Sequence, residues 1–350
     1  MKLGLFLDYA QSKLRIPIER VQLAERLGFD SIWTAEAYGS DALTPLAFVA
    51  AHTRRIRLGT GIVQLAGRPP AMLAMQIATV DQLAGGGRVI CGLGLSGPQI
   101  VEGWYGQPWG RPQARLRDYV AILRKILRRE EPVEHHGKEI QLPYAGPGAL
   151  GVGKPLKSIL HMNSEIPIWL GTGGAANVRL TAEIADGWLP MGFVPGMMKI
   201  FGPSLDEGFA RGNARRNRDE FEIQAQSHVI ITDEVRTAID SLKPMTALYV
   251  GGMGHQNTNF HKDQMVRRGY AEAAEQIQDL FLAGQRTEAI HAVPDEYIDE
   301  GALIGPRGRI RERFERWRDS GVTGLTLHVQ DDAALELMAD IAGLSPTSRR

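Results

Sequence analysis

The sequence predicts an α/β protein, a closed (β/α)8 TIM barrel that forms a single domain over residues 1–350. Eight short apolar runs alternate with amphipathic helical patterns, which is typical of parallel strands joined by helices, and no segment repeats. Such a barrel usually takes about 250 residues, so part of the chain is surplus. The surplus falls in two insertions, residues 131–165 before the fifth strand and residues 244–320 before the eighth. We expect two or three helices in the second insertion.

Each predicted strand is a short apolar run of the kind that is buried in a parallel sheet. The runs cover residues 3–8, 30–35, 55–63, 88–95, 166–171, 187–191, 221–231 and 324–329.

The helices are predicted from apolar residues at helical spacing and from the signals at their ends. The first has Pro17 near its first turn and Gly28 at its end. Ser204 and Glu207 form a capping box at the start of the helix after the sixth strand. The other helices are expected to begin near residues 44, 70, 111, 177 and 331. The helix over residues 111–129 places one apolar stripe on a single face: Leu116, Tyr119, Leu123 and Ile126.

Composition excludes several classes of function. Forty basic side chains balance forty acidic ones, so neither nucleic acid nor an anionic membrane is an expected partner. The one cysteine, Cys91, rules out a disulfide within the chain, and no cysteine and histidine spacing indicates a metal site. The first apolar run is broken at Asp8, which is too early for a secretory signal, and no run of about 18 apolar residues could cross a membrane. We expect a cytoplasmic protein.

The stretch "RVICGLGLSG" carries Gly92, Gly94 and Gly97 in the spacing G-x-G-x-x-G, which is the fingerprint of dinucleotide-binding units. That fingerprint requires a helix to begin within the glycine run. Here we expect the next helix only near Arg111, and no second strand ends in a suitably placed acidic residue. We therefore interpret these glycines as bare backbone at the end of a barrel strand, which a flat ligand can approach.

Two other glycine clusters follow predicted strands. Residues 171–174, Gly171, Thr172, Gly173 and Gly174, lead from a strand directly into a helix, which suits either a phosphate cradle or an ordinary tight turn. Gly59 and Gly61 lie within the third strand and indicate a bulge, a close backbone contact or relief of crowding. The residues alone leave both questions open.

Three segments, "LGTGI", "PPAMLAMQIATVDQLAGGGRVICGLGLSG" and "IPIWLGTGGAANVRLTAEIADGW", resemble the bacterial-luciferase-like oxidoreductases over nearly the whole chain. The stretches "YVGGMGHQNTNFHKDQMVRRGY" and "AVPDEYIDEGALIGP" are similar to the actinobacterial branch that depends on coenzyme F420, a deazaflavin. The resemblance implies a ring lying across the C-terminal mouth of the barrel, and relatives suggest a homodimer.

The resemblance also assigns expected cofactor contacts. A non-prolyl cis peptide at Gly61 and Ile62, after Thr60, would support the ring from behind. The loop Leu95, Ser96 and Gly97 would flank it. The phosphate and side-chain end would be lined by residues 171–174 together with Met191 and Gly192.

The choice of cofactor depends on the residues after the second strand. Flavin monooxygenases of this superfamily commonly carry a Glu-His pair there, and sugar-phosphate dehydrogenases of the deazaflavin branch carry Asp-His. This chain has Glu36 followed by Ala37, so the histidine is missing. The catalytic glutamate of those dehydrogenases would fall near Gly97 and their phosphate-binding lysine near Pro195. Glucose 6-phosphate is therefore disfavoured as the substrate, and FMN remains the alternative cofactor.

We expect an oxidoreductase that transfers a hydride between coenzyme F420 and a medium-sized, partly apolar organic substrate. Candidate proton partners are Glu36 at a strand end and His255 in the second insertion, with His261 six residues beyond it. Asp8, at the end of the first strand, is expected to contact the cofactor, as is Glu36. An FMN-dependent monooxygenase, a phosphate-binding isomerase or aldolase, and a non-catalytic flavin- or deazaflavin-binding barrel remain alternatives.

Overall fold

The structure, a computed structural model, describes residues 1–255 and 258–345, and its centre is a closed barrel of parallel strands. The ring is closed by the pairing of the strand at Gly187 with the strand that begins at Glu222. The barrel strands in order around the ring are β1 (Lys2–Phe6), β2 (Ser31–Thr34), β3 (Arg57–Thr60), β5 (Val89–Gly94), β8 (Ile168–Gly171), β9 (Gly187–Trp188), β10 (Glu222–Ile231) and β12 (Gly324–Val329). The predicted (β/α)8 barrel is confirmed.

Helices surround the ring, and several others belong to the second insertion. They are α1 (Ile18–Leu27), α2 (Leu43–His52), α3 (Pro70–Leu83), α4 (Pro98–Gly103), α5 (Pro112–Arg128), α6 (Ala175–Ile184), α7 (Met198–Phe209), α8 (Val235–Gly252), α9 (Phe260–Arg267), α10 (Ala271–Leu282), α11 (Arg286–His291), α12 (Asp295–Asp299), α13 (Arg307–Arg318) and α14 (Asp332–Ala342). In α5 the predicted stripe is buried against the barrel because its residues recur every three or four positions. None of the helices described is long and apolar enough to span a membrane.

Two insertions enlarge the barrel. The first contains a small hairpin, β6 (His135–His136) and β7 (Gln141–Leu142), and otherwise irregular chain. The second is larger than predicted, since α8 begins before residue 244 and is followed by α9 to α12 and by β11 (Leu303–Gly305), which pairs with the outer end of β10. The expectation of two or three helices was wrong because the short helices α11 and α12 carry little periodic signal.

Three element boundaries also differ from the prediction. The third strand is interrupted at residues 61–62 and resumes as β4 (Val63–Gln64) on β5, and the sixth strand stops at Trp188. The capping box at Ser204 and Glu207 was wrong, because α7 begins at Met198 and Ser204 lies buried inside it. The apolar face of α7 includes Phe201 and Leu205 on both sides of Ser204, and its burial extends the helix across the local cap signal.

The N-terminal end of the barrel is closed by charged side chains. Arg57 donates to Asp30 and to Glu222 over 2.6 and 2.9 Å, and Lys2 donates to Glu222 over 2.7 Å. Lys2, Arg57 and Glu222 start three strands and Asp30 directly precedes a fourth, so one network joins the barrel across its bottom. Above it the interior is filled by a compact apolar cluster: Phe6, Trp33, Ile62, Ile90, Trp169 and Leu189. The cavity described below opens instead at the C-terminal mouth, where active sites of this fold lie.

Candidate active site

A cavity of about 310 Å³ opens at the C-terminal mouth of the barrel. Most of the residues predicted to contact a cofactor line it: Gly61, Ile62, Leu95, Ser96, Gly97, Gly171, Thr172, Gly173, Met191 and Gly192. The three glycine segments that are distant in sequence therefore meet at one place. The volume lies within the range of about 300–1,000 Å³ that is usual for small-molecule sites.

Ile62 forms part of one wall of the cavity, and its side chain explains why Gly94 and Gly171 carry no side chain. The peptide bond between Gly61 and Ile62 is cis, as expected. A Cβ atom built on Gly94 would lie 2.6 Å from Cγ1 of Ile62, and one built on Gly171 would lie 2.6 Å from its Cγ2. The side chain of Ile62 therefore fits between two bare backbones. These glycines make room for a protein side chain as well as leaving the strand ends open to a ligand.

The other two glycines of the G-x-G-x-x-G run also make protein contacts. A Cβ atom on Gly92 would collide with the carbonyl oxygen of Thr60, and one on Gly97 would lie 2.7 Å from Oε1 of Gln99. Contrary to the prediction, a helix does begin directly after the run, since α4 starts at Pro98 with Gly97 in extended conformation before it. Proline at the first helical position allows this short helix, which ends after six residues.

Glu36 is buried behind the wall that carries Ile62. Its carboxylate accepts hydrogen bonds from the backbone N–H of Ala42 (3.1 Å), the backbone N–H of Gln64 (2.9 Å) and the guanidinium of Arg68 (2.9 Å). Its own N–H donates to the carbonyl of Ile62 over 3.2 Å. Glu36 therefore ties the end of β2 to the chain on both sides of the cavity wall, and it is not itself among the residues lining the cavity.

Four other predicted residues also lie away from the cavity surface. Thr60 is buried and exchanges two hydrogen bonds with the backbone of Gly92, of 2.9 and 2.8 Å. Asp8 is exposed and accepts hydrogen bonds from Ala10 and Gln11. His255 is exposed in the loop between α8 and α9, although its neighbours on that loop reach the cavity. Gly174 precedes α6 with a φ of 77°, just outside the lining.

The loop after β5 holds a backbone conformation that is uncommon for its residue type. Ser96 has a φ of 59°, in the left-handed region, and it lines the cavity between Leu95 and Gly97. Non-glycine residues in this region are rare and are concentrated at ligand sites. Next to it, Oε1 of Gln99 is buried without a hydrogen-bond donor among the described residues. The loop therefore offers an unsatisfied acceptor at the cavity.

The far end of the cavity is suited to an anion. Residues 171–174 pass from β8 into the N-terminus of α6, where free backbone N–H groups favour negative charge. Arg267, at the end of α9, lines the same end, and its Nη2 lies 3.7 Å from a Cβ atom built on Gly174. Sequence reasoning missed Arg267, because its distance from β8 along the chain gives no local signal. The basic pair in "MVRRGY" was the only indication available.

The second insertion forms a roof over the cavity. Phe260 and His261 of α9 line it, and the ring of His261 meets that of Tyr249 edge to face at 4.5 Å. Burial lowers the pKa of His261 to about 4, so this histidine is neutral at neutral pH. Gln264 donates to the carbonyl of Gly192 over 3.2 Å, which fixes α9 against the barrel rim. Within residues 1–255 and 258–345, no group of three or more metal-binding side chains is found.

Comparisons with known proteins agree with this geometry. The sequence model of the luciferase-like monooxygenase family matches residues 1–324. A Mycobacterium tuberculosis protein, provisionally named a coenzyme F420-dependent oxidoreductase, is 46% identical over 98% of this chain and 99% of its own length. A 5,10-methylenetetrahydromethanopterin reductase from Archaeoglobus fulgidus is 28% identical over 87% of this chain and 86% of its own.

Solved structures give the same result for the fold. The F420-dependent tetrahydromethanopterin reductase of Methanopyrus kandleri superposes with a TM-score of 0.76 at 25% identity, over 98% of this chain and 99% of the other. An F420-dependent secondary alcohol dehydrogenase, solved with an F420-acetone adduct, superposes with a TM-score of 0.75 at 17% identity, over 97% of both chains. The barrel, the cavity at its mouth and the match over residues 1–324 lead to one conclusion: the chain belongs to the luciferase-like monooxygenase family.

Proposed function

We propose that the protein is a coenzyme F420-dependent oxidoreductase, which transfers a hydride between the deazaflavin and a small organic substrate. The observation that carries the proposal is the cavity at the barrel mouth, which has Ile62 in one wall and Arg267 beside the start of α6 at its far end. A planar ring with an anionic tail suits this combination. The relative that is 46% identical supports the choice of F420.

The residues present fit such a cofactor. Ile62 would support the ring from one side, and Ser96 and Gly97 would flank it. The unpartnered Oε1 of Gln99 could accept a hydrogen bond from a ring N–H group, because ring amides are donors. When bound, the deazaflavin would supply the hydride chemistry, while the protein orients the substrate and excludes water from the mouth.

The anionic tail would lie at the start of α6. Thr172 and Gly173 line the cavity there, and the guanidinium of Arg267 adds a positive charge. Arginine binds phosphate groups through several N–H donors at once, which gives it geometric selectivity as well as charge.

A titration of the purified protein with F420 and, separately, with FMN tests the cofactor. We expect F420 to bind at least tenfold more tightly than FMN. The fluorescence of each cofactor ring measures its binding. Oxygen uptake with reduced FMN measures the competing monooxygenase activity. Tight binding of FMN together with no binding of F420 would overturn the proposal.

We propose that Glu36 positions the cofactor wall, since three donors already meet its carboxylate. A direct contact of Glu36 or Asp8 with the cofactor, and proton transfer by Glu36 or His255, stay predictions. A Glu36→Gln variant keeps the shape but loses the charge that pairs with Arg68. We expect weaker F420 binding with an unchanged pH profile of turnover, whereas a shifted profile would indicate proton transfer. His255→Gln tests the other candidate in the same assay.

We also propose that the chain is one domain, forms a homodimer and resides in the cytoplasm. Large apolar side chains on α2 and α3 are half exposed and favour a second copy as their cover: Phe48, Met72, Met75 and Leu83. Light scattering should give twice the chain mass of 38.5 kDa, and one cooperative unfolding transition is expected. Cys91, buried and unpaired, is consistent with a reducing compartment, which cell fractionation tests.

A further inference from the structure

The wall of the mouth formed by β10 and β12 carries two stacked histidines. His228 and His328 occupy paired positions on these neighbouring parallel strands. Their ring centroids are 4.6 Å apart with an interplanar angle of 26°, and Phe6 of β1 packs on His328 with its ring centroid at 4.3 Å. The imidazoles therefore form an ordered stack near the C-terminal ends of their strands, where barrel enzymes place their reactive groups.

The two histidines differ in their hydrogen bonding. Nε2 of His328 lies 3.2 Å from Oε1 of Gln226, so one of its two ring nitrogens already has a protein partner. No protein group within the described part of the chain hydrogen-bonds either ring nitrogen of His228. His228 keeps solvent exposure as a residue although protein groups, the ring of His328 among them, surround it, so a ligand can reach it. His228 is the member of the pair that is free to bind a substrate.

His228 is not among the residues that line the cavity, but its position along β10 places it next to them. Gln226 lines the cavity, and His228 lies two residues closer to the mouth on the same face of β10. In the closed ring, β10 and β12 lie opposite β3 and β5, which carry Ile62 and the loop after Gly94. A ring bound against Ile62 would therefore have its other side turned towards the histidines.

The environment of the stack is uncharged. Burial lowers the pKa of His228 to about 4, and burial together with His228 lowers the pKa of His328 well below its ordinary value. No carboxylate or cationic side chain contributes to either shift. Arg267, the cationic side chain of the cavity lining, lies instead beside the start of α6. This wall therefore offers a neutral, polar contact with no partner for a charged substrate group.

Building on the proposed function, we propose that His228 binds the reacting oxygen of an uncharged alcohol or carbonyl substrate and exchanges its proton. With F420 bound, the hydride of the alcohol carbon would go to the deazaflavin in the oxidative direction, while the O–H bond would break and the carbonyl bond would form. The hydroxyl proton passes to the unprotonated ring nitrogen of His228. The reductive direction reverses each transfer, so atoms and electrons balance in both.

The test measures F420-dependent turnover of cyclohexanol and cyclohexanone, which are neutral, against lactate and pyruvate, which are charged. We expect turnover of the neutral pair alone. His228→Gln should bind the neutral probes but lower kcat by about 10²–10⁴-fold, the usual contribution of general acid–base catalysis. His228→Phe should lose probe binding as well. The matched control, His136→Gln, changes an exposed hairpin histidine and should behave as wild type.

A second readout does not need turnover. In histidine-labelled protein loaded with F420, cyclohexanone should shift the ring-nitrogen NMR signals of His228 saturably, and lactate should not. F420 affinity within about twofold of wild type in each variant shows that the cofactor site is intact. Turnover of only the charged probes, full activity of His228→Gln, or unshifted His228 signals would overturn the inference. Failure of F420 to bind the wild type would instead contradict the proposed function.

Discussion

Ile62 is held between Gly94 and Gly171, and this arrangement makes the substitution Gly171→Ala informative. The new methyl carbon would lie 2.6 Å from Cγ2 of Ile62, whereas carbon atoms in contact are usually about 3.5–4.0 Å apart. Ile62 would have to move by about 1 Å. Rotation about χ1 offers no escape, because Cγ1 is already enclosed by the backbone of Gly94 and β-branched side chains are stiff at χ1.

We therefore expect Gly171→Ala to lower the free energy of unfolding by about 1–3 kcal/mol, the usual effect of overpacking. Because Ile62 would be displaced into the cavity, we also expect F420 affinity to fall by at least tenfold, or about 1.4 kcal/mol. Urea denaturation followed by tryptophan fluorescence measures the first quantity, and titration with F420 measures the second.

A double-mutant cycle identifies the cause. Ile62→Ala removes both γ carbons, so adding it to Gly171→Ala should recover stability through a coupling of about 1 kcal/mol or more. Gly308→Ala is the matched control: a Cβ atom there meets nothing within 4 Å, and helix α13 should gain about 0.4–1 kcal/mol. If Gly171→Ala is as stable as wild type and binds F420 equally well, or if the coupling is absent, the steric account is refuted.

Three further predictions follow. Arg267→Ala should weaken F420 binding by about 1.5–3 kcal/mol. In the same titration, binding of the deazaflavin riboside, which lacks the anionic tail, should be unchanged. Equal losses of affinity for both compounds would contradict the anion site. Asp186→Asn should lower the free energy of unfolding by about 3–5 kcal/mol, because the buried carboxylate meets Arg124 over 2.8 Å and two further arginines. Burial acts to raise the pKa of Asp186, but Arg124 and the other donors lower that pKa overall. The contribution of Asp186 to the free energy of unfolding is therefore lost as pH falls through the depressed pKa. Urea denaturation of wild type and Asp186→Asn should converge at acid pH, and a constant difference would exclude this linkage. Burial raises the pKa of Cys91 to about 12, so a thiol reagent at pH 8 should react with it only at the rate of unfolding, and rapid labelling of native protein would contradict its burial.

The sequence predicted the parts of the fold that follow from local pattern. Apolar runs of five to eleven residues between helical segments indicated the barrel strands, because both faces of a parallel sheet are buried. The stripe on α5 was recognised for a similar reason, since periodic burial leaves a periodic sequence. The box at Ser204 failed because a short capping motif also occurs inside helices, where burial of neighbouring apolar residues decides the boundary.

The candidate site was predictable only where it is made of strand ends. Gly61, Ile62 and the loop after β5 were assigned through the family resemblance, on glycine-bearing segments in or directly after predicted strands. Arg267 was missed, since the roof reaches the mouth through tertiary packing. The proposed role of His228 also had no sequence signal, because an alternating strand does not indicate which inward residue faces a ligand. Glu36 was singled out as a candidate, but its hydrogen-bond partner Arg68 was not predicted, because Arg68 lies beyond the interrupted third strand in sequence.

The G-x-G-x-x-G run shows how one sequence pattern can arise from two kinds of physical constraint. In a dinucleotide-binding unit the glycines let the backbone approach a pyrophosphate and a helix. In this barrel Gly92 is required by the carbonyl of Thr60 and Gly94 by the side chain of Ile62, both belonging to the neighbouring third strand. The spacing of two places these glycines on the same inward face of β5, as the alternation of a strand demands. What distinguishes the two cases is therefore the partner strand. A substitution at residue 60 or 62 should change how much an alanine at Gly92 or Gly94 of β5 destabilises the protein, even when no ligand is present.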